Sequence, residues 1–301
     1  MSLYVEILMR ADIDRLWTYT QTPDLHARWD LRFSTIDYLP RPDMSQPQQF
    51  HYSTRIGFGA KISGTGEAVG SRDDEGCRTS ALKFWSEDPR SLIRAGSGYW
   101  QYAPVAEGVR FLTEYNYQTR FGWPGRWFDR LVFRPLLGWA TAWSFDRLRL
   151  WLESDIDPAA ALGRSLIYAV VRLTLAFIWI YQGLVPKLLF RDPSELAMLQ
   201  RARLFSGHEP TMLTLFGVWE IVFGCLLVAR WHSRLLLHFT IMALTVLGVG
   251  ALCAWPHVFI EAFNPLSLNL AMIALSAVGL LSAHDLPTAR TCRRRRRESP
   301  S

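Results

Sequence analysis

Between Leu204 and His284 the only Asp, Glu, Lys or Arg residues are Glu209, Glu220, Arg230, Arg234 and Glu261. A soluble domain of that length needs many more charges to cover its surface. This part of the chain is therefore composed for an apolar solvent. Four apolar stretches of near-spanning length occupy it and the segment just before it, at about 165 to 186, 211 to 229, 235 to 254 and 266 to 283. A bilayer core is crossed by about 20 apolar helical residues, which predicts an all-α four-helix transmembrane bundle. The first stretch contains VVRLTLAFIWIYQGLVPKLLF, residues 170 to 190, with Arg172 near one end and Lys187 near the other. An ionisable group in a span is costly and as a rule faces the bundle interior with a partner.

Charge also suggests an orientation. The connector ARWHSR carries Arg230 and Arg234, and the chain ends on Arg293 to Arg297 followed by ESPS. Both belong on the positive, cytoplasmic side. An even number of spans then places the N-terminal half there too, consistent with MSLYVEILMRADIDRLWTYT, where Glu6, Arg10, Asp12 and Asp14 interrupt any signal-peptide core. The expected location is a bacterial cytoplasmic (inner) membrane, multi-pass, with both termini cytoplasmic. The first outer loop opposes this mildly, since Lys187, Arg191, Arg201 and Arg203 outnumber Asp192, Glu195 and Glu209. The segment 286–301, which contains the arginine run, reads as a basic disordered tail rather than a nucleic-acid site. The four cysteines, Cys77, Cys225, Cys253 and Cys292, form no C-x-x-C pair, so neither a zinc site nor a disulfide framework is indicated.

The first half has a different texture. Residues 3 to 9 alternate as a strand does, and Asp12 stands as a helix cap before Ile13, Leu16 and Trp17 at helical spacing. In QFHYSTRIGF, Phe50, Tyr52, Thr54, Ile56 and Phe58 share one face, and in RFLTEYNYQTR so do Phe111, Thr113, Tyr115 and Tyr117. Gly-rich turns separate further short strands, and after Pro124 the pattern becomes helical, with Pro135 placed to kink or divide it.

This succession resembles the START-like (SRPBCC, helix-grip) superfamily. IDRLWTYTQTPDLHARW is similar to its first helical stretch and FDRLVFRPLLGWATAWSFDRLRLWLE to its closing helix. The resemblance implies an α+β helix-grip domain over 1–155, an antiparallel sheet around a long C-terminal helix, with a cavity for an apolar ligand. Phe50, Tyr52, Trp100, Tyr115 and Tyr117 are the candidate lining residues; the other reading of each is plain core. No His, Asp and nucleophile group stands out, so no reaction is assigned. In the closing helix Trp127, Phe128, Phe133, Trp139, Trp143 and Trp151 interleave with Arg126, Arg130, Arg134, Arg147 and Arg149. Such a mixture suits a membrane interface, or a helix that buries its rings and solvates its arginines.

The second half resembles the DoxX-like family of small four-helix membrane proteins over 164–285, through WIYQGLVPK and GVWEIVFG in combination, with FNPLSLNLAMIALSAVGLL following. DoxX relatives include a subunit of a thiosulfate:quinone oxidoreductase and proteins linked to redox stress. Inside the spans, Arg172 lies roughly 9 Å and Glu220 roughly 15 Å from the inner face at about 1.5 Å per residue, so the two are expected to meet, with His238 at the level of Arg172. Gln182, Lys187, Glu261, Asn264 and Asn269 form a polar group at the other end, Lys187 reading as an interfacial anchor. The intramembrane polar set Arg172, Gln182, Glu220, His238 and Asn269 is either a ligand or proton cavity or a structural tie between helices.

Three functions are open: binding of an apolar small molecule, lipid or quinone-like, by the cytoplasmic domain; a quinone-linked membrane oxidoreductase component; or a membrane assembly or recruitment factor. No resident cofactor is expected, with quinone the one candidate. The expected partners are the lipid bilayer, an apolar small molecule, and a protein partner or second copy of the chain, with no nucleic acid.

Overall fold

The computed structural model describes residues 2–41, 43, 45–55, 59–203, 205–254, 256–260 and 264–296. Ile56, Phe58, Glu261 and Arg297 lie outside the described residues. The chain divides into two compact units, Met1–Ala161 with Pro287–Ser301, and Leu162–Leu286.

The first unit opens with β1 (Leu3–Met9), where Leu3, Val5, Ile7 and Met9 are buried on one face. Helix α1 (Ile13–Gln21) starts where the Asp12 carboxylate accepts from the N–H groups of Asp14 and Arg15 at 2.8 and 3.0 Å. Helix α2 (Pro23–Trp29) follows, with Pro23 in its first turn, where no intrahelical N–H is needed. Strands β2 (Thr35–Tyr38), β3 (Gln49–Arg55), β4 (Lys61–Asp74), β5 (Cys77–Trp85), β6 (Ile93–Val105) and β7 (Gly108–Thr119) then form an antiparallel meander. β1 closes on β7, giving a seven-stranded sheet of order β1-β7-β6-β5-β4-β3-β2. The chain continues as α3 (Gly122–Phe128), a π-helical turn (Asp129–Phe133) and the long helix α4 (Arg134–Ser154). At Pro135 the chain passes from the π-helical turn into α4 without leaving helical geometry, Phe133 and Arg134 both keeping right-handed helical angles. Phe145 and Leu148 of α4 are fully buried with Trp29, Tyr102 and Phe111. This is the helix-grip arrangement, one long helix held by a sheet.

The expectation of a disordered tail over 286–301 is corrected for residues 288–293; residues 297–301 lie outside the described residues. Asp146 of α4, fully buried, accepts from Thr288 N–H at 2.8 Å and the Thr291 hydroxyl at 2.9 Å. Cys292 donates to Ala142 O at 3.3 Å, and burial pushes its thiol up to about 12. Arg293 exchanges backbone hydrogen bonds of 2.9 and 2.8 Å with Glu6 on the outer edge of β1. The tail thus covers a sheet edge that would otherwise offer unpaired backbone groups. The arginine run hid the short polar segment before it, whose acceptor lies on α4.

The second unit contains α5 (Pro158–Gln182, entering it at Leu162), a π-helical continuation (Gly183–Leu189), a short α6 (Pro193–Ala202), α7 (Glu209–Ala229), α8 (Leu235–Ala254) and α9 (Pro265–Ser282). Four segments are long and apolar enough to cross a membrane: Pro158–Leu189, Glu209–Ala229, Leu235–Cys253 and Pro265–Ser282. Their inner faces share a core of Tyr168, Val171, Leu175, Trp179, Phe223 and Leu237. Their outer faces are just as apolar, with Phe177, Val222, Leu247 and Leu270 each more than half exposed. An apolar shell around an apolar core is stable in lipid and not in water. Where α5 and α7 cross, Gly183 and Gly217 face each other so closely that a Cβ at either would meet the other's carbonyl.

Candidate functional sites

In the first unit the sheet register builds an arrangement that no single strand reveals. Phe50 pairs with Gly66, Gly66 with Phe84, Phe84 with Gly96 and Gly96 with Tyr117. Ring and glycine alternate across five strands. The Phe50 ring lies over Gly66 and the Phe84 ring over Gly96, while Tyr52 lies over Gly64 one row on. Phe50, Tyr52, Phe84 and Tyr117 all remain half-buried although they occupy the core-facing side of the sheet. A depression of about 530 Å³ is lined by residues 83–85, 95–97 and 116–118, which include Phe84, Gly96 and Tyr117 of the row.

The five candidate lining residues therefore separate into two kinds. Trp100 is buried, 4.9 Å from the His26 ring and 5.7 Å from Phe111, inside the closed core. Tyr115 is buried too, its hydroxyl 3.2 Å from that of Thr141 on α4. Phe50, Tyr52 and Tyr117 form the half-exposed wall. Burial pushes the Tyr52 phenol up to about 12, and its hydroxyl has no hydrogen-bond partner among the described residues. Tyr117 donates to Asp129 at 2.5 Å, and Arg134 holds the other carboxylate oxygen at 3.1 Å. Burial, and then that contact with Asp129, raise the Tyr117 phenol well above the ordinary range.

Sequence reasoning missed a buried ionic group beside the wall. Asp30 has a fully buried side chain, takes a two-pronged contact from Arg32 at 2.9 and 2.6 Å, and lies 3.1 Å from His26 Nε2. Asp30 is desolvated, yet Arg32 and His26 together hold its carboxyl well below the usual carboxylate range. Burial lowers His26, whose ring stacks on Trp29 at 5.0 Å. Arg32 also lies over the Tyr115 ring at 5.8 Å. The i,i+4 spacing of His26 and Asp30 at the end of α2 was the available signal. Arg147, one of the arginines interleaved with rings in the closing helix, is also buried. It donates to the carbonyls of Trp29, Arg28 and Pro158 at 3.1, 3.0 and 2.7 Å, so it satisfies the C-terminal end of α2.

In the second unit the expected Arg172–Glu220 pair does not form. Arg172 is fully buried and donates to the carbonyls of Arg230, Trp231 and Ser233 at 2.5, 2.7 and 3.3 Å. These carbonyls belong to the turn between α7 and α8, where the Trp231 carbonyl also accepts from the Tyr168 hydroxyl at 2.8 Å. Glu220 pairs instead with Lys187, 3.1 Å away, and Lys187 also reaches Glu195 at 3.3 Å. Lys187 is thus a buried partner rather than an interfacial anchor. The π-helical stretch Gly183–Leu189, with Pro186 inside it, carries an extra residue per turn and brings Lys187 round to face α7.

Of the remaining intramembrane candidates, Gln182 meets the Lys187 group through its backbone carbonyl, while His238 and Asn269 lie apart from both groups. His238 is exposed, and its Nδ1 lies 3.0 Å from the Arg234 carbonyl one turn earlier on its own segment. Asn269 faces Gly248 of α8, Asn264 caps α9 by accepting from Ser267 N–H at 3.0 Å, and Gln182 offers its backbone carbonyl to Lys187 at 3.5 Å. The Trp179 indole N–H is buried without a partner among the described residues, its ring 5.6 Å from Trp219 and 5.1 Å from Phe223. Among the described residues no group of three or more His, Cys, Asp or Glu side chains is placed to hold a metal ion.

Residues 176–277 match the DoxX-like family. The first unit resembles, in fold, the di-domain ARO/CYC StfQ from the steffimycin biosynthetic pathway, at 13% identity and a TM-score of 0.39 over 51% of each chain. The present chain thus spans about half the length of StfQ. It also resembles the STAR-related lipid transfer protein of Xanthomonas axonopodis, at 15% identity and a TM-score of 0.38 over 50% of this chain and 85% of that one. Over its whole length the chain is 41% identical to the uncharacterized membrane protein YndG of Bacillus subtilis (strain 168), covering 98% of both. The chain belongs to the family of YndG, membrane proteins, and joins a helix-grip domain to a DoxX-like region with four apolar helices.

Proposed function

We propose that the helix-grip unit binds an apolar small molecule, lipid or quinone-like, against the ring-and-glycine wall. The observation that supports this is the half-exposure of Phe50, Tyr52, Phe84 and Tyr117 on the side of the sheet that otherwise forms the core. Apolar rings kept partly uncovered there lose burial energy, about 25 cal/mol per Å², which a bound apolar molecule restores. The glycines keep the wall flat enough for a ligand to approach, and the Tyr52 hydroxyl is available to a polar head. The test is photo-crosslinking of the full chain in lipid nanodiscs with a diazirine-bearing fatty acyl lipid. Labelled peptides should include those containing Phe50–Tyr52 and Tyr115–Tyr117, and Phe50→Arg should reduce that labelling several-fold with the chain still folded. Labels confined to the four spans would overturn the reading.

A second reading, a quinone site within the bundle, is favoured by the Trp179 N–H. That donor stands one turn before Gly183, which packs against Glu220, and a quinone carbonyl is an acceptor of the right kind. The orientation that fits best is a bacterial cytoplasmic membrane with both termini on the cytoplasmic side. The burial of Lys187 against Glu220 removes it from the count of loop charges. Arg191, Arg201 and Arg203 then remain in the outer loop, against Arg230 and Arg234 in the connector and the arginine run after the last span.

A further inference from the structure

The segment from Phe121 to Trp139 has two sides of opposite character. One side is fixed to its own unit: Asp129 is buried against Tyr117 and Arg134, Phe133 packs edge-on to Tyr117 at 6.3 Å, and Gly138 lies beside Leu3. The other side exposes Trp123, Trp127, Phe128, Leu131, Leu136 and Trp139, with Trp123 71% and Trp127 58% accessible. Scattered apolar residues on a surface need no explanation, but this many large exposed apolar side chains within one short segment mark a surface that something covers.

The charges around the run identify the cover. Between Arg120 and Trp139 the only acidic residue is Asp129, and it is buried and paired. Arg126 and Arg130 are exposed between the exposed rings. Tryptophan and phenylalanine rings with interspersed arginines fit the boundary between lipid headgroups and acyl chains, where the rings insert and the guanidinium groups meet phosphates. A protein groove would have to supply acidic partners for the arginines; a phospholipid surface carries phosphate everywhere. The chain is also tethered to such a surface, because only Asp155, Ile156 and Asp157 separate α4 from α5, whose helix runs on into the first span. A short tether keeps the local concentration of bilayer high, so modest intrinsic affinity suffices.

We infer that the exposed face of Phe121–Trp139 docks into the headgroup–acyl boundary of the bilayer that α5 enters. The inference is independent of any ligand at the aromatic wall. Because Phe133 and Asp129 of the docked segment touch Tyr117 of that wall, docking would set one end of the wall against lipid.

The test uses the full chain in phosphatidylcholine–phosphatidylglycerol nanodiscs, with its four native cysteines replaced and an NBD fluorophore on Trp127→Cys or Leu131→Cys. Ser71→Cys, on an exposed stretch of β4, is the reference. Lipid-borne doxyl groups should quench the probe at positions 127 and 131 several-fold more than at 71, with a blue-shifted emission. Leu131→Glu together with Leu136→Glu should lower the quenching at 127. Quenching no greater than at position 71 overturns the inference if iodide in the water reaches the probe. A blue-shifted probe reached by neither quencher also overturns it, since the cover is then protein, a second copy included.

Discussion

Arg172 and Lys187 stand on one continuous span and meet the same electrostatic problem in different ways. Arg172 takes three backbone carbonyls in the turn between α7 and α8, a set that its forked guanidinium suits; Lys187 takes carboxylates. Glu220 and Lys187 should therefore be energetically coupled, and Glu220 and Arg172 should not. Removing one partner of a buried pair costs on the order of 3–5 kcal/mol. Lys187→Met or Glu220→Leu alone should lose stability on that scale in detergent denaturation, and the double substitution should recover much of it. Arg172→Leu combined with Glu220→Leu should give additive losses. The charges themselves were legible in the sequence, since each stands out in an apolar run. Their pairing was not, because depth along a helix fixes neither which way a long side chain extends nor which face it leaves: Arg172 reaches the turn at residues 230–233, and Glu220 faces Lys187.

At the scale of elements, strands and spans follow from periodicity, whereas the C-terminal segment follows from contacts made across 142 to 150 positions of sequence. Ending the chain after Leu286 should leave Asp146 with Arg149 as its remaining side-chain partner and uncover the edge of β1. Hydrogen bonds to charged groups are worth about 1.5–3 kcal/mol each, so the truncated chain should unfold at clearly lower denaturant, read by circular dichroism. Arg294→Ser, Arg295→Ser and Arg296→Ser together, which spare Thr288, Thr291 and Cys292, should change stability little. The closing helix shows the same dependence on partners. Its rings and arginines form one uninterrupted pattern in sequence, but Trp143, Arg147 and Trp151 are buried while Trp127, Arg130 and Trp139 are exposed.

For the whole molecule, the orientation proposed above predicts that a cytoplasm-dependent reporter fused after Ser301 is active, and that one inserted between Arg191 and Asp192 is not. Activity of the C-terminal fusion only on the far side would remove the four-span arrangement. The sequence by itself determined the change of solvent along the chain, the four apolar segments, the alternating strands and the helix that closes the grip. Those are properties of hydrophobic period and charge density, which act locally. Only the tertiary structure decided that Phe50, Gly66, Phe84, Gly96 and Tyr117 form one row, that Asp30 is clasped by His26 and Arg32, and that Lys187 rather than Arg172 meets Glu220. Each of these depends on strand register or helix phase, where an advance of one residue turns a side chain to another face.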